Sequence, residues 1–316
     1  MLKAILKTIN EGQRFLVASH EGPDGDALAS TLALTLALRA LGKDVVAYNV
    51  DGVPAVFDFL PGAETVVARL PDDGGFDAGF VLDAGELRRA GKGLRERCRI
   101  LVNIDHHPYS EDFGDIYYVD TEACATGALI YRLLAAAGWG ISFDVATCIY
   151  AAVISDTGSF RYSNANPEAF RIAAEMIGLG VNPWDVATGL YENQDARRLR
   201  LLARALETLT VSRCGRFATI SVTEQMYAAT GSSAEHTDGF VNYPRSIRGV
   251  EVAIFFRQVG PATCKVGFRS KGNVDVGALS RELGGGGHHN AAGALVEGSM
   301  EDVRNQVFAR LEILTD

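Results

Sequence analysis

Short aliphatic strands alternating with helical stretches predict an α/β fold for the first half of the chain, built on a mainly parallel sheet flanked by helices. Two observations carry this. The segments FLVAS (15–19), GFVLD (79–83) and ILVNID (100–105) run apolar at successive positions rather than at every second one, as strands covered on both faces do. Gly, Pro or Asp bounds DVVAYNV (44–50), GFVLD and ILVNID, and helical patterns stand between or after the strands. A third observation separates the halves: beyond about residue 185 the pattern changes to a charged amphipathic helix and a smaller α/β unit. The length of 316 residues already makes two domains the natural expectation. We expect domains at 1–190 and 214–316, a helical connector over 191–213, and an active site in the cleft between the domains.

In chain order, FLVAS leads into the apolar segment 27–42, and DVVAYNV (44–50) follows as a strand. That apolar segment contains Ser30, Thr31, Thr35 and Arg39, so it reads as a buried helix and not as a membrane span. GFVLD and ILVNID come next, then helices near 126–138, 143–155 and 167–179, the last with a proline at its start as helix beginnings prefer. QDARRLRLLARALETL (194–209) is the amphipathic helix expected to connect the domains. Strands near 217–223, 250–257 and 264–269 and a helix near 275–283 lead into GGGGHHNAAG, followed by ALVEG and a last helix over 300–313.

Composition narrows the function. The net charge of −9 argues against non-specific coating of duplex DNA. Between Arg245 and Lys271, however, six basic residues (Arg245, Arg248, Arg257, Lys265, Arg269, Lys271) face one acidic residue, Glu251, an excess that suits either an anionic ligand or a solvated strand face. Five cysteines are odd in number, widely spaced and without a CxxC pair, which suggests reduced thiols in a cytoplasm. The start, MLKAILKTINEGQ, lacks the hydrophobic region and cleavage site of an export signal.

Polar residues at strand ends carry the chemistry. His20, Asp24 and Asp26 follow the first strand, Asp83 ends the third, and Asp105, His106 and His107 end the fourth. Asp156 closes the helical run CIYAAVIS. Parallel strands would converge their carboxyl ends on one crevice. Any one of these aspartates alone reads as a turn former or helix cap. Several carboxylates crowded into a low-dielectric cleft, by contrast, repel unless cations sit between them. Oxygen ligands with imidazole and no thiolate favour Mn²⁺ or Mg²⁺ over a structural zinc site.

The segments HEGPDGDALAS, VLDAG, NIDHHP and SDTGSF, in this order, resemble the four motifs of the DHH phosphoesterase superfamily. DGFVNYPRSIRGVEVAIFFR (238–257) and FRSKGNVDVGALSRELGGGGHHNAAG (268–293) resemble the DHH-associated carboxyl-terminal domain, so the likeness spans essentially the whole chain. One departure is visible: Glu21-Gly22 precede Pro23 where the family more often has an asparagine. The resemblance implies two divalent ions, Mn²⁺ expected, with Mg²⁺ or Co²⁺ as alternatives. His20, Asp24 and Asp83 would hold one ion; Asp26, Asp83, His106 and Asp156 would hold the other. His107 is then left for the scissile phosphate, and Asp105 for orienting an imidazole.

Gly284–Gly287 lacks the Lys-Ser/Thr of a P-loop and the spacing of a dinucleotide fingerprint. Glycine lets backbone amides approach an anion, so Gly285, Gly286 and Gly287 with His288, Arg269 and Ser270 are the expected nucleotide grip. Arg161 is a further candidate phosphate contact. A tight turn is the plain alternative for the glycines. Within the superfamily the likeness points to hydrolysis of short single-stranded oligoribonucleotides or dinucleotides, and to removal of the 3′-phosphate of 3′-phosphoadenosine 5′-phosphate. A pApA or cyclic-dinucleotide phosphodiesterase, a manganese pyrophosphatase and a non-catalytic nucleotide sensor are the rivals. Neither a membrane nor long duplex DNA is an expected partner; a homodimer is compatible with the sequence.

Overall fold

The computed structural model describes residues 1–72, 74–272 and 274–313, without the side chains of His288, Glu312 and Ile313. Its contacts divide the chain into Met1–Asn193 and Gln194–Asp316.

The first unit holds strands β1 (Arg14–Ser19), β2 (Asp44–Tyr48), β3 (Val66–Val67), β4 (Phe76–Leu82), β5 (Cys98–Asp105) and β6 (Ile116–Val119). They form one sheet in the order β3-β2-β1-β4-β5-β6, with every pairing parallel. The expected fold class is therefore borne out. The order reverses between β1 and β4, the place where open α/β sheets leave a crevice beyond their carboxyl ends. Its helices are α1 (Leu2–Glu11), α2 (Gly25–Ala40), α3 (Leu94–Arg97), α4 (Thr126–Ala137), α5 (Phe143–Asp156), α6 (Pro167–Gly178) and α7 (Pro183–Tyr191). Strands β3 and β6 and helices α1, α3 and α7 were not among the expected elements.

Helix α2 is apolar on all sides and buried along most of its length, since α4 and α5 pack beside it. Its interior polar groups are satisfied locally: the Ser30 hydroxyl donates to Asp26 at 2.8 Å and the Thr31 hydroxyl to the Ala27 carbonyl at 2.8 Å. Arg132 on α4 bonds Asp120 at 2.5 Å and Glu168 at 2.7 Å, which ties the loop after β6 to α4 and α6.

The second unit begins with α8 (Ala196–Glu207), followed by β7 (Thr210–Val211), β8 (Phe217–Val222), α9 (Glu224–Thr230), α10 (Asn242–Arg245), β9 (Val252–Gly260) and β10 (Thr263–Ser270). Then come α11 (Val276–Glu282), β11 (Gly286–His288), β12 (Ala291–Glu297) and α12 (Met300–Ile313). The sheet order is β11-β12-β10-β9-β8-β7, antiparallel except for β8 with β9. Leu201, Leu202 and Ala205 of α8 bury against Ile220, Val222, Ala253 and Phe255 on one face of this sheet. Val252, Ile254, Phe256, Val266 and Phe268 pack with residues of α11 and α12 on the other. Among the described residues no helix is long and apolar enough to cross a membrane.

Candidate metal centre

The carboxyl ends of β1, β4 and β5 and the ends of α2 and α5 bring the polar residues of the four motifs together. His20 Nε2 lies 3.8 Å from Asp83 Oδ2 and 4.0 Å from Asp24 Oδ1. His106 Nε2 lies 3.5 Å from Asp83 Oδ1, 3.7 Å from Asp26 Oδ2 and 3.7 Å from Asp156 Oδ2. These separations exceed a hydrogen bond yet leave no room for a protein group between them. Three sets of side chains, His20/Asp24/Asp83, Asp26/His106/Asp156 and Asp83/His106/His107, offer atoms close enough together to hold a metal ion. The donor chemistry, carboxylate oxygens with imidazole nitrogen, fits a hard or borderline divalent cation.

The imidazole tautomers are set from behind. His20 Nδ1 donates to the Glu21 carbonyl at 2.8 Å, and His106 Nδ1 donates to the Ala123 carbonyl at 3.2 Å. Each ring therefore presents its Nε2 lone pair to the carboxylates. His107 differs: its Nδ1 donates to Asp105 Oδ1 at 2.7 Å, and that same oxygen accepts the amides of His106 and His107. The other oxygen, Oδ2, accepts the Gly85 amide at 3.0 Å. Burial opposes the charge on Asp105, but its bonds to His107 outweigh it and hold the carboxyl well below its usual range. Reciprocally, burial disfavours a charged His107 while Asp105 raises its pKa on balance.

Asp83, Asp26 and Asp156 are strained electrostatically. Burial, then repulsion from Asp26, Asp24, Asp105 and Asp156, pushes Asp83 well above the ordinary range. Burial also raises Asp26, against the pull of His106, and lifts Asp156 to about 7, with Asp26 adding to the shift. Asp83 pays a conformational cost too: its φ of 58° is left-handed, a region aspartate and asparagine tolerate better than most residues. Asp24 caps α2 by accepting the Ala27 amide at 3.0 Å, so Asp26 lies inside the first turn rather than at the cap.

Two residues that sequence reasoning passed over hold the carboxylates. Thr126 donates its hydroxyl to Asp83 Oδ1 at 3.0 Å and its amide to Asp26 Oδ2 at 2.6 Å. Asn164 Nδ2 donates to Asp156 Oδ2 at 2.9 Å and to the Cys124 carbonyl at 2.9 Å. A left-handed turn brings Asn164 back: Gly158, Ser159 and Phe160 all have φ near +60° (55°, 60° and 61°). The Ser159 amide bonds the Ile154 carbonyl at 2.8 Å, and the Phe160 ring stacks on Phe170 at 4.9 Å, which over-determine the strained backbone. Arg161 is exposed, with its Nε donating to the Gly158 carbonyl at 2.6 Å, so that nitrogen is not available to a phosphate.

The glycine run resolves into two roles. Gly286, Gly293 and Gly267 are neighbours across β11, β12 and β10. A Cβ on Gly267 or Gly286 would meet open space. Strand alternation puts Arg269 on the same face as Gly267. Gly285 and Gly287 instead abut β12: a Cβ on Gly285 would stand 2.3 Å from the Gly293 carbonyl oxygen, and one on Gly287 2.5 Å from Ala292 Cα. Of the three expected glycines only Gly286 has room for a Cβ, while Gly286 and Gly287 are both exposed. Ser270 is buried on the opposite face, its hydroxyl accepting from Asn290 at 2.9 Å, so it ties β10 to the 289–290 loop. The His288 side chain lies outside the described residues. Gly285→Ala is expected to destabilise the second unit by about 1–3 kcal/mol through overpacking, whereas Gly286→Ala should leave its denaturation midpoint nearly unchanged.

Comparison with known proteins agrees with this reading of the motifs. Residues 14–153 match the family model described as DHH family, N-terminal domain, and residues 221–312 match the DHHA1 domain. The bifunctional oligoribonuclease and PAP phosphatase NrnA of Thermus thermophilus is 34% identical over 301 residues, covering 94% of this chain and 88% of that protein. The protein of the same name from Bacillus subtilis is 27% identical, covering 99% and 98%. The crystal structure of an exopolyphosphatase-related protein from Bacteroides fragilis superposes with a TM-score of 0.92 at 29% identity, covering 98% of this chain and 94% of that one. With both family models matched in order and a relative this similar over nearly its whole length, the chain belongs to the DHH family.

Proposed function

We propose that the protein is a two-metal phosphoesterase that hydrolyses short oligoribonucleotides to mononucleotides and removes the 3′-phosphate of 3′-phosphoadenosine 5′-phosphate. The observation that carries this is the set of gaps of 3.5–4.0 Å between imidazole Nε2 atoms and carboxylate oxygens around Asp83, framed by tautomers fixed from outside. The names of the Thermus and Bacillus relatives supply the substrate class.

His20, Asp24 and Asp83 would hold one ion and Asp26, Asp83, His106 and Asp156 the other, with one oxygen of Asp83 turned to each group. Manganese is the ion we expect. Divalent ions bound by these residues would supply an acidified water and charge neutralisation for phosphoryl transfer. His107 is left out of both sets because the nitrogen it turns toward Asp83, Nδ1 at 3.6 Å, is the one whose proton is donated to Asp105. Held in that orientation with a raised pKa, it can keep a proton on Nε2, where it would meet a phosphate oxygen or protonate the leaving 3′-oxygen. In the second unit, Arg269 and Gly286 would grip the substrate on the open glycine face, the absence of side chains at Gly267 and Gly286 admitting a flat base or a phosphate; His288 is a further residue we propose for the grip. Arg161 would contact phosphate through its remaining nitrogens. A grip of this kind would suit a few nucleotides and not a long duplex, and a cytoplasm, where the cysteines would stay reduced, is the compartment we expect.

Side-by-side turnover of pApA, a trinucleotide, 3′-phosphoadenosine 5′-phosphate and pyrophosphate with Mn²⁺ tests the proposal. Release of mononucleotides and of the 3′-phosphate is expected; preference for pyrophosphate, or tight dinucleotide binding without turnover, would overturn it. His107→Ala should lower kcat by on the order of 10²–10⁴-fold while Mn²⁺ binding, measured by calorimetry, stays within a few-fold of the parent. Unchanged turnover would remove His107 from the reaction.

A further inference from the structure

We propose that Thr126 is a positioning residue for the metal pair: its hydroxyl divides the two oxygens of Asp83 between two ions, and its amide fixes the oxygen of Asp26 beside them. The inference rests on the two-ion reading above and deepens it.

The start of α4 is built for this contact. Its N-cap is Ala125, which has no side chain to satisfy the first amides of the helix. A carboxylate from far away in sequence takes that place. Asp26 accepts the Thr126 amide at 2.6 Å on Oδ2 and the Gly127 amide at 3.0 Å on Oδ1. Ser30 adds a third bond to Oδ1 at 2.8 Å. The Asp26 oxygen that faces His106, 3.7 Å away, is thereby oriented by the Thr126 amide. The helix start cannot drift, because α4 and α5 touch there: a Cβ on Gly127 would stand 2.4 Å from the Cβ of Ala152.

The hydroxyl of the same residue, fully buried, donates to Asp83 Oδ1 at 3.0 Å. A carboxylate offers about four lone-pair sites, two on each oxygen. Thr126 occupies one on Oδ1. The oxygen keeps one outward site on the side of His106, and Oδ2 remains directed toward His20. Without this bond the carboxylate can turn about χ2, a soft torsion. It would then offer both oxygens to one ion and abandon the other. The hydroxyl thus favours bridging over chelation.

Thr126→Val keeps shape and amide and removes only the hydroxyl. The full-length protein, stripped with EDTA and titrated with Mn²⁺ by calorimetry and electron paramagnetic resonance, gives the readout without reference to turnover. We expect the parent to bind two ions with spin coupling between them. The valine variant should bind one ion with near-parental affinity and the other about 10–100-fold more weakly, with the coupling signal lost. Thr126→Ser should restore both affinities to within about threefold of the parent by the same reasoning. Should valine prevent folding, Thr126→Ala, also lacking the hydroxyl and compatible with a helix start, carries the comparison. Two unchanged affinities in the variant without the hydroxyl, equal weakening of both ions, or failure of serine to rescue would each overturn the inference. A parent that binds fewer than two ions would instead overturn the two-ion reading on which it rests.

Discussion

Asp83→Asn is expected to lower turnover on every substrate by on the order of a thousandfold or more, and at the same time to raise the stability of the metal-free protein. The two effects share one cause. Asp83 is buried among Asp24, Asp26, Asp105 and Asp156, all of which disfavour its charge. Removing that charge relieves desolvation and repulsion, a gain of about 1–3 kcal/mol on the scale of buried ionic groups. The amide also suits the local backbone, since asparagine is among the residues that best accept a φ of 58°. Thr126 can still donate to the side-chain oxygen. What is lost is the negative charge placed between the two histidines at 3.5 and 3.8 Å. Denaturant unfolding after EDTA treatment and kcat with Mn²⁺ measure the pair. Activity within tenfold of the parent would remove Asp83 from the centre of the chemistry.

Divalent ions are expected to raise the melting temperature more at pH 8 than at pH 5. Asp26, Asp83 and Asp156 all have folded-state pKa values above the ordinary 3.8, Asp156 reaching about 7. Over that window the folded metal-free protein binds more protons than the unfolded chain, so its stability falls as pH rises from about 4 to about 7. Asp105 has the opposite sign, its pKa lowered, and its contribution is lost only in acid below that window. At pH 5 protons already relieve the repulsion and compete with the ion. At pH 8 more of this carboxylate charge is present, and the cation both binds better and relieves more. The difference between melting temperatures with Mn²⁺ and with EDTA should widen by several degrees between the two pH values, about the shift that 1–2 kcal/mol produces in a chain of this size. A constant or narrowing difference would separate these aspartates from ion binding.

Much of the fold was legible because its signals are local. A strand buried on both faces needs apolar residues at successive positions, and FLVAS, GFVLD and ILVNID have them. A parallel sheet gathers its functional side chains at one end, so His20, Asp83 and Asp105–His107 could be grouped before any contact was known. Elements with weaker local signatures escaped. Strand β6 (IYYV) is half polar, and β11 (GGH) looks like a turn until β12 pairs with it.

The sequence by itself determined the fold class, the family and the kinds of atoms that meet at the strand ends, since residue types and short spacings carry those. Tertiary structure alone decided which lone pair faces which neighbour. Thr126 reaches Asp26 across 100 positions, Asn164 returns to Asp156 through a left-handed turn, and Gly286 faces outward while Gly285 and Gly287 abut β12. Such relations depend on packing between elements distant in the chain, where a rotation of one side chain or a shift of one residue in register exchanges an inward group for an outward one.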